Sequence, residues 1–307
     1  MSAAAVRSGV LVVDKPAGIT SFDVVGCVRR RLRVQRVGHA GTLDPDGTGV
    51  LPVLLGEATK LMSYLAAHDK EYRAVVRFGI RTDTQDVSGR VLSDVAVPAL
   101  TVEMVGTAAA AFVGRIRQTP PMYSALHHEG RRLYELAREG VEVERAPREV
   151  IVYAIDVEHV QGVTATLRVV CGKGTYIRTL AADLGDVLGV GAAVERLTRL
   201  RVGPFTLADA VTWAELGTEA ASTLHLRIAP PEAALAAWPA ICLDTARVDA
   251  FRHGRSVECC AVGVGFSRVY DAEGLFVGVG AVDAGGGRLR PIRILHADRP
   301  DARVLPS

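Results

Sequence analysis

GHAGTLDPDGTGVLP, residues 38–52, is a stretch that cannot form a regular helix or a central strand. It contains four glycines and two prolines, and glycine costs backbone entropy in regular structure while proline removes a hydrogen-bond donor. The stretch therefore predicts a tight loop between regular elements. Such a loop can bring backbone close to a ligand and hold a carboxylate in a fixed direction on a rigid scaffold.

Asp44 is the candidate catalytic residue of this loop. Pro45 follows it and biases it towards extended backbone, so we expect its carboxylate to point outward from the turn. The residues alone leave a second interpretation open, because Asp44 and Asp46 precede proline and glycine, as many ordinary turn residues do.

The length and composition predict a two-domain globular protein. The chain has 307 residues, 49% of them hydrophobic, which is enough for buried cores. No apolar run approaches the roughly 20 residues that cross a bilayer, and residues 1–9 lack the apolar centre of a signal peptide. We therefore expect a soluble, cytoplasmic protein with no membrane partner.

The cysteines predict neither a disulfide framework nor a metal site. They are odd in number and scattered, without CxxC or Cys/His spacing, so we expect reduced thiols, no zinc and no other metal. The five are Cys27, Cys171, Cys242, Cys259 and Cys260.

Positive charge is carried almost entirely by arginine, although the formal net charge is only +2. Arginine suits bidentate phosphate contact and stacking on bases. The arginine clusters would form a phosphate-binding surface if the fold brought them together, whereas any one of them alone is typical of a solvated face. They are Arg29 to Arg31 with Arg33 and Arg36, Arg131 with Arg132, Arg196 with Arg199 and Arg201, and Arg288 with Arg290 and Arg293.

Apolar periodicity predicts alternating strands and helices before residue 229. The expected elements are a strand over 9–14, a helix capped by Thr20 or Ser21, a strand over 50–55, a short helix over 57–66, a strand over 71–78, a surface loop over 81–89, a helix over 101–113, an irregular stretch over 118–130, a short basic helix over 131–139, strands over 151–160 and 163–170, and a helix from Ile177.

Three side chains near these elements are ambiguous from the sequence alone. Tyr72 lies on the apolar face of its predicted strand, which favours core packing, and Leu197 is most simply a core leucine among arginines. Tyr176 and Arg178 fall off the apolar stripe of their helix, where they can reach into a cleft. The neighbouring GKGT lacks the full phosphate-loop pattern and is not one.

The last part of the chain predicts a separate small domain. Residues 229–239 are rich in alanine and proline and indicate a seam. Short apolar runs with glycine-rich turns follow, a pattern typical of a small β-barrel.

Five segments together resemble the bacterial tRNA pseudouridine-55 synthases, the TruB family of pseudouridine synthases. Their order and spacing match across the catalytic region. The segments are KPAGITSFDVV (15–25), VGHAGTLDPDGTGVLP (37–52), KEYRAVVRFG (70–79), QTPPMYS (118–124) and CGKGTYIRTL (171–180).

The resemblance implies an α+β fold in which a long mixed, mostly antiparallel sheet forms the catalytic domain over 1–237. It also implies an RNA-gripping insertion at about 120–150 and a PUA-like RNA-binding β-barrel over 238–307. The implied reaction converts the uridine at position 55 of the tRNA T loop to pseudouridine. The implied partner is the T stem-loop, with no cofactor, no metal, no protein partner and a monomeric enzyme.

The resemblance also assigns roles to individual residues. Asp44 matches the catalytic aspartate, Arg178 the arginine that pairs with it, and Tyr72 the tyrosine that stacks on the base and is proposed to take the late proton. The chemistry begins with a base turned out of the RNA loop, and the sequence leaves open whether Asp44 attacks the ring or the sugar. The substrate-binding positions it implies are His39, Tyr176, Leu197 and Lys15.

Three positions depart from the pattern of many relatives. Asp46 and Gly47 stand where leucine and alanine are common, and Ala193 stands where histidine is frequent. The matched catalytic positions are intact.

Two other functions fit parts of the sequence. Asp44 to Thr48 matches the D-x-D-G-T signature of haloacid-dehalogenase-like phosphatases, which would use Asp44 and Asp46, but that motif requires an apolar strand immediately before it. The third possibility is a non-catalytic RNA-binding protein or RNA chaperone that uses the arginines and the terminal barrel.

Overall fold

The computed structural model describes residues 8–124, 126–259 and 263–296. Its strands are β1 (Gly9–Lys15), β2 (Val37–His39), β3 (Thr48–Leu55), β4 (Lys70–Phe78), β5 (Ile80–Thr82), β6 (Val91–Asp94), β7 (Gly114–Gln118), β8 (His127–His128), β9 (Arg131–Arg132), β10 (Arg148–Gln161), β11 (Thr164–Cys171), β12 (Ala192–Val202), β13 (Phe205–Thr206), β14 (Val211–Thr212), β15 (Ala240–Cys242), β16 (Val257–Glu258), β17 (Gly265–Tyr270), β18 (Phe276–Val282) and β19 (Arg288–Ile294). Its α-helices are α1 (Ser21–Leu32), α2 (Met62–Ala66), α3 (Val102–Ala110), α4 (Leu133–Arg138), α5 (Ile177–Val187), α6 (Trp213–Thr218), α7 (Ala221–Leu226) and α8 (Thr245–Arg252). Short 3₁₀ turns cover Gly56–Leu61, Leu207–Asp209 and Pro231–Leu235.

A ten-stranded mixed sheet organises the first part of the chain. Its order is β14-β1-β3-β12-β4-β11-β10-β7, with β2 paired to β3 and β13 paired to β12. Most pairs are antiparallel, and the parallel ones are β1 with β14 and β3 with β12. The predicted α+β class with a long, mostly antiparallel mixed sheet is confirmed.

Helices cover this sheet where its strands are apolar. Helices α3 and α5 pack on β4, β11 and β12 through a buried cluster that includes Val105, Leu180 and Val76. The other end, β1 and β3, is buried on both faces, against α1 on one side and the turn Gly56–Leu61 on the other. A strand buried on both faces is a nearly continuous apolar run, which describes β3.

Thr20, one of the two residues predicted to cap α1, is its N-cap. Its hydroxyl accepts from the amide of Asp23, whose carboxylate in turn accepts from the amide of Thr20. This reciprocal capping box fixes the helix start and so fixes the approach of the preceding KPAGI turn to the loop at residues 40–47.

Strand β12 is the largest element that the sequence did not predict. It lies in the centre of the sheet, between β3 and β4. The charged residues Glu195, Arg196, Arg199 and Arg201 interrupt its apolar pattern, so its periodicity indicates no strand. The arginines are accommodated by partners distant in sequence, such as Glu71 for Arg201.

The C-terminal part forms a second, five-stranded sheet in the order β15-β17-β18-β19-β16. It is joined to the first part by a shared apolar contact: Tyr64, Trp238 and Phe266 pack ring to ring. Val279 and Leu295 share a buried cluster with residues of the first sheet. The predicted domain boundary at 237/238 stays a prediction.

Across residues 8–124, 126–259 and 263–296, no helix combines the length and apolar character needed to cross a membrane.

Candidate active site

Asp44 lies in the irregular loop between β2 and β3, and both of its neighbours are held by hydrogen bonds. The hydroxyl of Ser21 accepts from the amide of Leu43 (3.0 Å) and donates to the carbonyl of the same residue (3.1 Å). The carbonyl of Pro45 accepts from the amide of Gly18 (3.0 Å) and from Lys15 Nζ (2.7 Å). The position of the Asp44 backbone is therefore fixed from the KPAGITS segment.

The Asp44 carboxylate forms a two-point ion pair with Arg178. Arg178 Nε lies 2.9 Å from Oδ2, and Nη2 lies 3.0 Å from Oδ1. The Arg178 side chain is 7% exposed, whereas that of Asp44 is 41% exposed. The arginine is thus inside the protein and the carboxylate is partly open to solvent. A charge-assisted pair with two contacts sets direction as well as charge.

The remaining donors of Arg178 bind two other segments. Nη1 donates to the carbonyl of Thr84 (2.9 Å), and Nη2 donates to the carbonyl of Tyr123 (2.8 Å). Asp86 Oδ2 lies 3.8 Å from Nη1. The guanidinium of Arg178 therefore connects three segments. They are the loop that carries Asp44, the loop after β5 with Thr84, and the predicted RNA-gripping insertion with Tyr123.

Asp86 and Thr84 are site residues that the sequence did not indicate. They lie in the segment 81–89, predicted only as a surface loop. The Asp86 carboxylate accepts from the hydroxyls of Thr84 and Ser88, which is ordinary turn chemistry. The local sequence of such a turn is the same whether or not the turn faces a buried arginine such as Arg178, so the sequence carries no signal for this contact.

Tyr72 points from β4 into the core beside the site and is 8% exposed. Burial raises the pKa of its hydroxyl above the ordinary value, and the nearby charge of Arg199 opposes that rise. The ring of Tyr72 belongs to the apolar cluster under α5, as the core-packing interpretation expects. Its hydroxyl lies within the electrostatic field of Asp44 and Arg199, and its part in the reaction stays a prediction.

Tyr176 and Leu197 line the same region from α5 and β12. Tyr176 is the N-cap residue of α5, and the side-chain amide of Gln118 grips its backbone: the Tyr176 amide donates to Oε1 (3.0 Å) and Nε2 donates to the Tyr176 carbonyl (3.2 Å). Burial raises the pKa of the Tyr176 hydroxyl. Leu197 is partly buried against the α5 cluster, and its carbonyl accepts from Thr48 Oγ1.

His39 ends β2 at the edge of the site. Its ring meets the ring of Phe22 edge to face, with centroids 5.9 Å apart, and Phe22 itself is 65% exposed. Burial, followed by the charges of Arg199 and Arg132, lowers the pKa of His39. Its Nδ1 is buried and has no hydrogen-bond partner among the described residues. A neutral imidazole with a free nitrogen can take a hydrogen bond from a ligand.

Lys15 is placed differently from the substrate contact that the resemblance implies. It is fully buried, and Nζ donates to the carbonyls of Pro16, Ile19 and Pro45. An ammonium group has three donors, so all of them are taken by backbone. In this geometry Lys15 stabilises the loop that carries Asp44 from its buried side, through the carbonyl of Pro45.

Three arginines of the predicted clusters are buried or bound to groups of the protein itself. Arg31 binds the carbonyls of Leu216 and Glu219 at α6. Arg201 pairs with Glu71, and Arg199 is 1% exposed. Clustering in sequence did not imply a shared exposed face. A register shift between Arg199 and Arg201 breaks the strand alternation, so Arg199 is buried whereas Arg201 is partly exposed.

Of the positions that depart from the family pattern, Gly47 contacts Asp44 directly: its amide donates to the Asp44 carbonyl (3.0 Å). Asp46 is exposed, whereas Ala193 is fully buried in β12 opposite Arg77. Ala193 therefore offers no surface for RNA. Asp46 lies near Lys15 and favours its charged form.

The surroundings of Asp44 do not match a phosphatase site of the D-x-D-G-T type. That motif needs a buried strand directly before its first aspartate, whereas β2 ends at His39 and residues 40–47 are irregular. Among the residues that the structure describes, no group of three or more His, Cys, Asp or Glu side chains is placed to hold a metal ion.

Family models match most of the chain. The model "TruB family pseudouridylate synthase (N terminal domain)" matches residues 29–177. The model "tRNA pseudouridylate synthase B C-terminal domain" matches 178–236, and "Pseudouridine synthase II TruB, C-terminal" matches 239–295.

Two curated relatives illustrate the similarity. "tRNA pseudouridine synthase B" of Dechloromonas aromatica is 46% identical over 288 residues, which cover 94% of this chain and 95% of the relative. The protein of the same name from Symbiobacterium thermophilum is 48% identical over 255 residues, 82% of this chain and 84% of the relative. These names support neither the phosphatase nor the purely binding interpretation.

Solved structures share the fold. A chain of "Crystal Structure of a Cbf5-Nop10-Gar1 Complex" is 29% identical with a TM-score of 0.70, covering 91% of this chain and 79% of that one. A chain of "Structure of H/ACA RNP bound to a substrate RNA containing 2'-deoxyuridine" is 25% identical with a TM-score of 0.71, covering 95% and 86%.

Proposed function

The chain belongs to the TruB family of pseudouridylate synthases, and from this membership we infer that it is a tRNA pseudouridine synthase, an isomerase. The finer proposal is that it modifies the uridine at position 55 in the T loop. The residues proposed to carry the reaction are Asp44, Arg178 and Tyr72.

The observation that carries the proposal is the ion pair between Asp44 and Arg178. Its arginine is buried and its carboxylate is partly open to the cleft. A carboxylate that is fixed at both oxygens yet accessible from one side can act as a nucleophile on a base or sugar placed in that cleft. An ordinary turn aspartate would have no buried arginine behind it.

The proposed reaction needs only group transfer within the nucleotide. The bond between ribose C1′ and uracil N1 breaks, a bond between C1′ and C5 forms, the hydrogen on C5 leaves as a proton, and N1 takes up a proton. No electron is gained or lost. Asp44 is proposed to form the transient bond that holds the detached fragment.

Tyr72 is proposed to stack on the turned-out base and to take the proton from C5. Because burial raises the pKa of its hydroxyl, the hydroxyl is protonated at neutral pH and must lose its own proton first. The positive charge of Arg199 favours that loss.

The proposed substrate contacts follow the cleft outward from Asp44. His39 is proposed to contact the turned-out nucleotide from the end of β2, while Tyr176 and Leu197 are proposed to shape the pocket. The insertion around residues 120–150 is proposed to grip the T stem-loop, because Tyr123 within it already touches Arg178. The protein is proposed to act as a monomer, and the cytoplasm is the proposed place of action.

Tritium release tests this function directly. Unmodified tRNA transcribed with [5-³H]uridine releases tritium when C5 loses its hydrogen, and we expect one equivalent per tRNA. A transcript with cytidine at position 55 should release none. Release that is unaffected by this substitution would contradict the position, and absence of release from any tRNA would contradict the function.

A further inference from the structure

Arg199 is the largest fully buried side chain in the part of the chain that the structure describes, and it is 1% exposed. Among the described residues, no carboxylate oxygen lies within ion-pair distance of its guanidinium, so hydrogen bonds to neutral groups must satisfy it. Nε donates to the carbonyl of Val50 (2.8 Å) and Nη2 donates to the carbonyl of Gly41 (3.0 Å).

These two carbonyls mark the two ends of the loop that carries Asp44. Gly41 is the second residue after β2, and Val50 belongs to the start of β3. A buried guanidinium that binds both ends fixes the separation and the orientation of the segment between them.

The glycines of the loop are also placed against Arg199. Gly49 is paired with Arg199 across the parallel β3–β12 contact, and a Cβ at Gly49 would lie 2.2 Å from the Arg199 carbonyl oxygen. At Gly41, with φ +97°, a Cβ would lie 3.5 Å from Arg199 Nη1. At the start of the loop, Gly41 therefore lies next to the side chain of Arg199. At its end, Gly49 packs against the backbone of Arg199.

The buried guanidinium of Arg199 lowers the stability of the fold more than an apolar side chain of similar size would. Burying a charge without a counter-charge costs free energy, and a packed apolar side chain in place of buried charges is often neutral or stabilising. Two other buried cations lie near, since the charge of Arg199 lowers the pKa of both Lys15 and Lys70. Packing and stability therefore give no reason for an arginine at this position.

We propose that Arg199 is a positioning residue of the isomerisation: its guanidinium fixes both ends of the Asp44 loop and keeps a positive charge beside the Tyr72 hydroxyl. This inference rests on the proposed function, because it assigns Arg199 to the geometry of the proposed catalytic groups. Arg199 acts through the loop and through Tyr72 and does not itself contact the RNA.

Arg199→Lys separates this role from a need for charge alone. Lysine keeps the charge but has a single ammonium group on a flexible stem, so it cannot hold Gly41 and Val50 as the planar guanidinium does. Because small displacements of reacting groups can lower a rate on the order of 10²-fold, we expect a loss of that order in the single-turnover rate constant at saturating tRNA. The dissociation constant for tRNA should stay unchanged.

Arg31→Lys is the matched control. Arg31 also binds two backbone carbonyls through Nε and Nη2, but it does so between α1 and α6. Both variants lose an arginine that bridges two carbonyls, so both should lose thermal stability. Only Arg199→Lys should lose single-turnover rate at a temperature where circular dichroism shows both variants folded.

Equal single-turnover rates in Arg199→Lys and Arg31→Lys would overturn the proposal. If Arg199→Lys does not fold, Arg199→Gln replaces it, since a neutral side chain removes the cost of the buried charge, and the same slow turnover with unchanged binding is expected. Wild-type protein that releases no tritium would overturn the proposed function, whereas wild-type and Arg199→Lys proteins of equal rate would overturn only the role of Arg199.

Discussion

The guanidinium of Arg178 holds both carboxylate oxygens of Asp44, through Nε at 2.9 Å and Nη2 at 3.0 Å. The two partners differ in solvent exposure, because the arginine is buried while the carboxylate is partly exposed. Fixing a charged group in advance of the reaction avoids the reorganisation that water would require.

Arg178→Lys should lose most of its pseudouridine formation although it keeps the charge. Lysine cannot bind both oxygens of Asp44 and the carbonyls of Thr84 and Tyr123 at once. We expect near-normal tRNA binding in a filter assay and a strongly reduced single-turnover rate. Near-normal turnover would show that a positive charge alone suffices.

Asp44→Asn should abolish the reaction, whereas Asp46→Asn should retain substantial activity. The amide keeps the shape of Asp44 but is no nucleophile, so the rate should fall by several powers of ten, far more than the loss of one hydrogen bond of about 1 kcal/mol would cause. Asp46 is exposed and forms no ion pair with Arg178. Tritium release and filter binding are measured side by side for the two variants. An active Asp44→Asn protein would rule out the proposed chemistry, and equal inactivation of both folded variants would favour the phosphatase interpretation.

Lys70 should make the stability of the wild-type protein depend on pH. Burial, aided by the charge of Arg199, lowers the pKa of Lys70 from 10.5 to about 8. Between these two values the unfolded chain binds more protons at this group than the folded chain does, so the free energy of unfolding rises with pH. Below about pH 8 both states are protonated, and the effect of pH through this group disappears.

The comparison of wild-type protein with Lys70→Met isolates this contribution. Urea unfolding at several pH values from 7 to 10.5 should show the wild type gaining stability relative to the variant. The gain has an upper limit of about 3 kcal/mol at about 1.4 kcal/mol per pKa unit. A difference between the two proteins that is constant or falls over this range would contradict the expected burial of the ammonium.

Truncation after Trp238 should weaken tRNA binding and leave slow turnover at saturating tRNA, because the proposed catalytic residues all precede that point. The truncation also removes Phe266 from its stack with Trp238 and withdraws Val279 and Leu295 from a buried cluster. We therefore expect a lower melting temperature than that of the full-length protein, and circular dichroism during heating measures it. A folded truncated protein with unchanged tRNA affinity would show that the second sheet adds nothing to binding.

Local pattern predicted the elements whose own residues carry a clear apolar or turn signal. The Thr20 cap of α1 and the strand containing Tyr72 follow from spacing alone, and the loop around Asp44 follows from its glycines and prolines. Strand β12 was missed because its arginines find their partners across the sheet. The resemblance paired Asp44 with Arg178, but the contacts of Asp86 and Arg199 depend on loops that meet only in the folded chain.

If the proposed insertion grips the RNA, the contact between Arg178 and the Tyr123 carbonyl would couple RNA binding to the position of Asp44. Tyr123 belongs to the segment proposed to grip the T stem-loop, and its carbonyl accepts from the same Nη2 that holds Asp44 Oδ1. If this segment swings outward, the buried guanidinium loses an acceptor, and part of that penalty falls on the catalytic carboxylate. By reciprocity of coupling, a substrate that draws the segment inward also tightens the nucleophile, so a poorly fitting RNA would be turned over slowly even when it is bound.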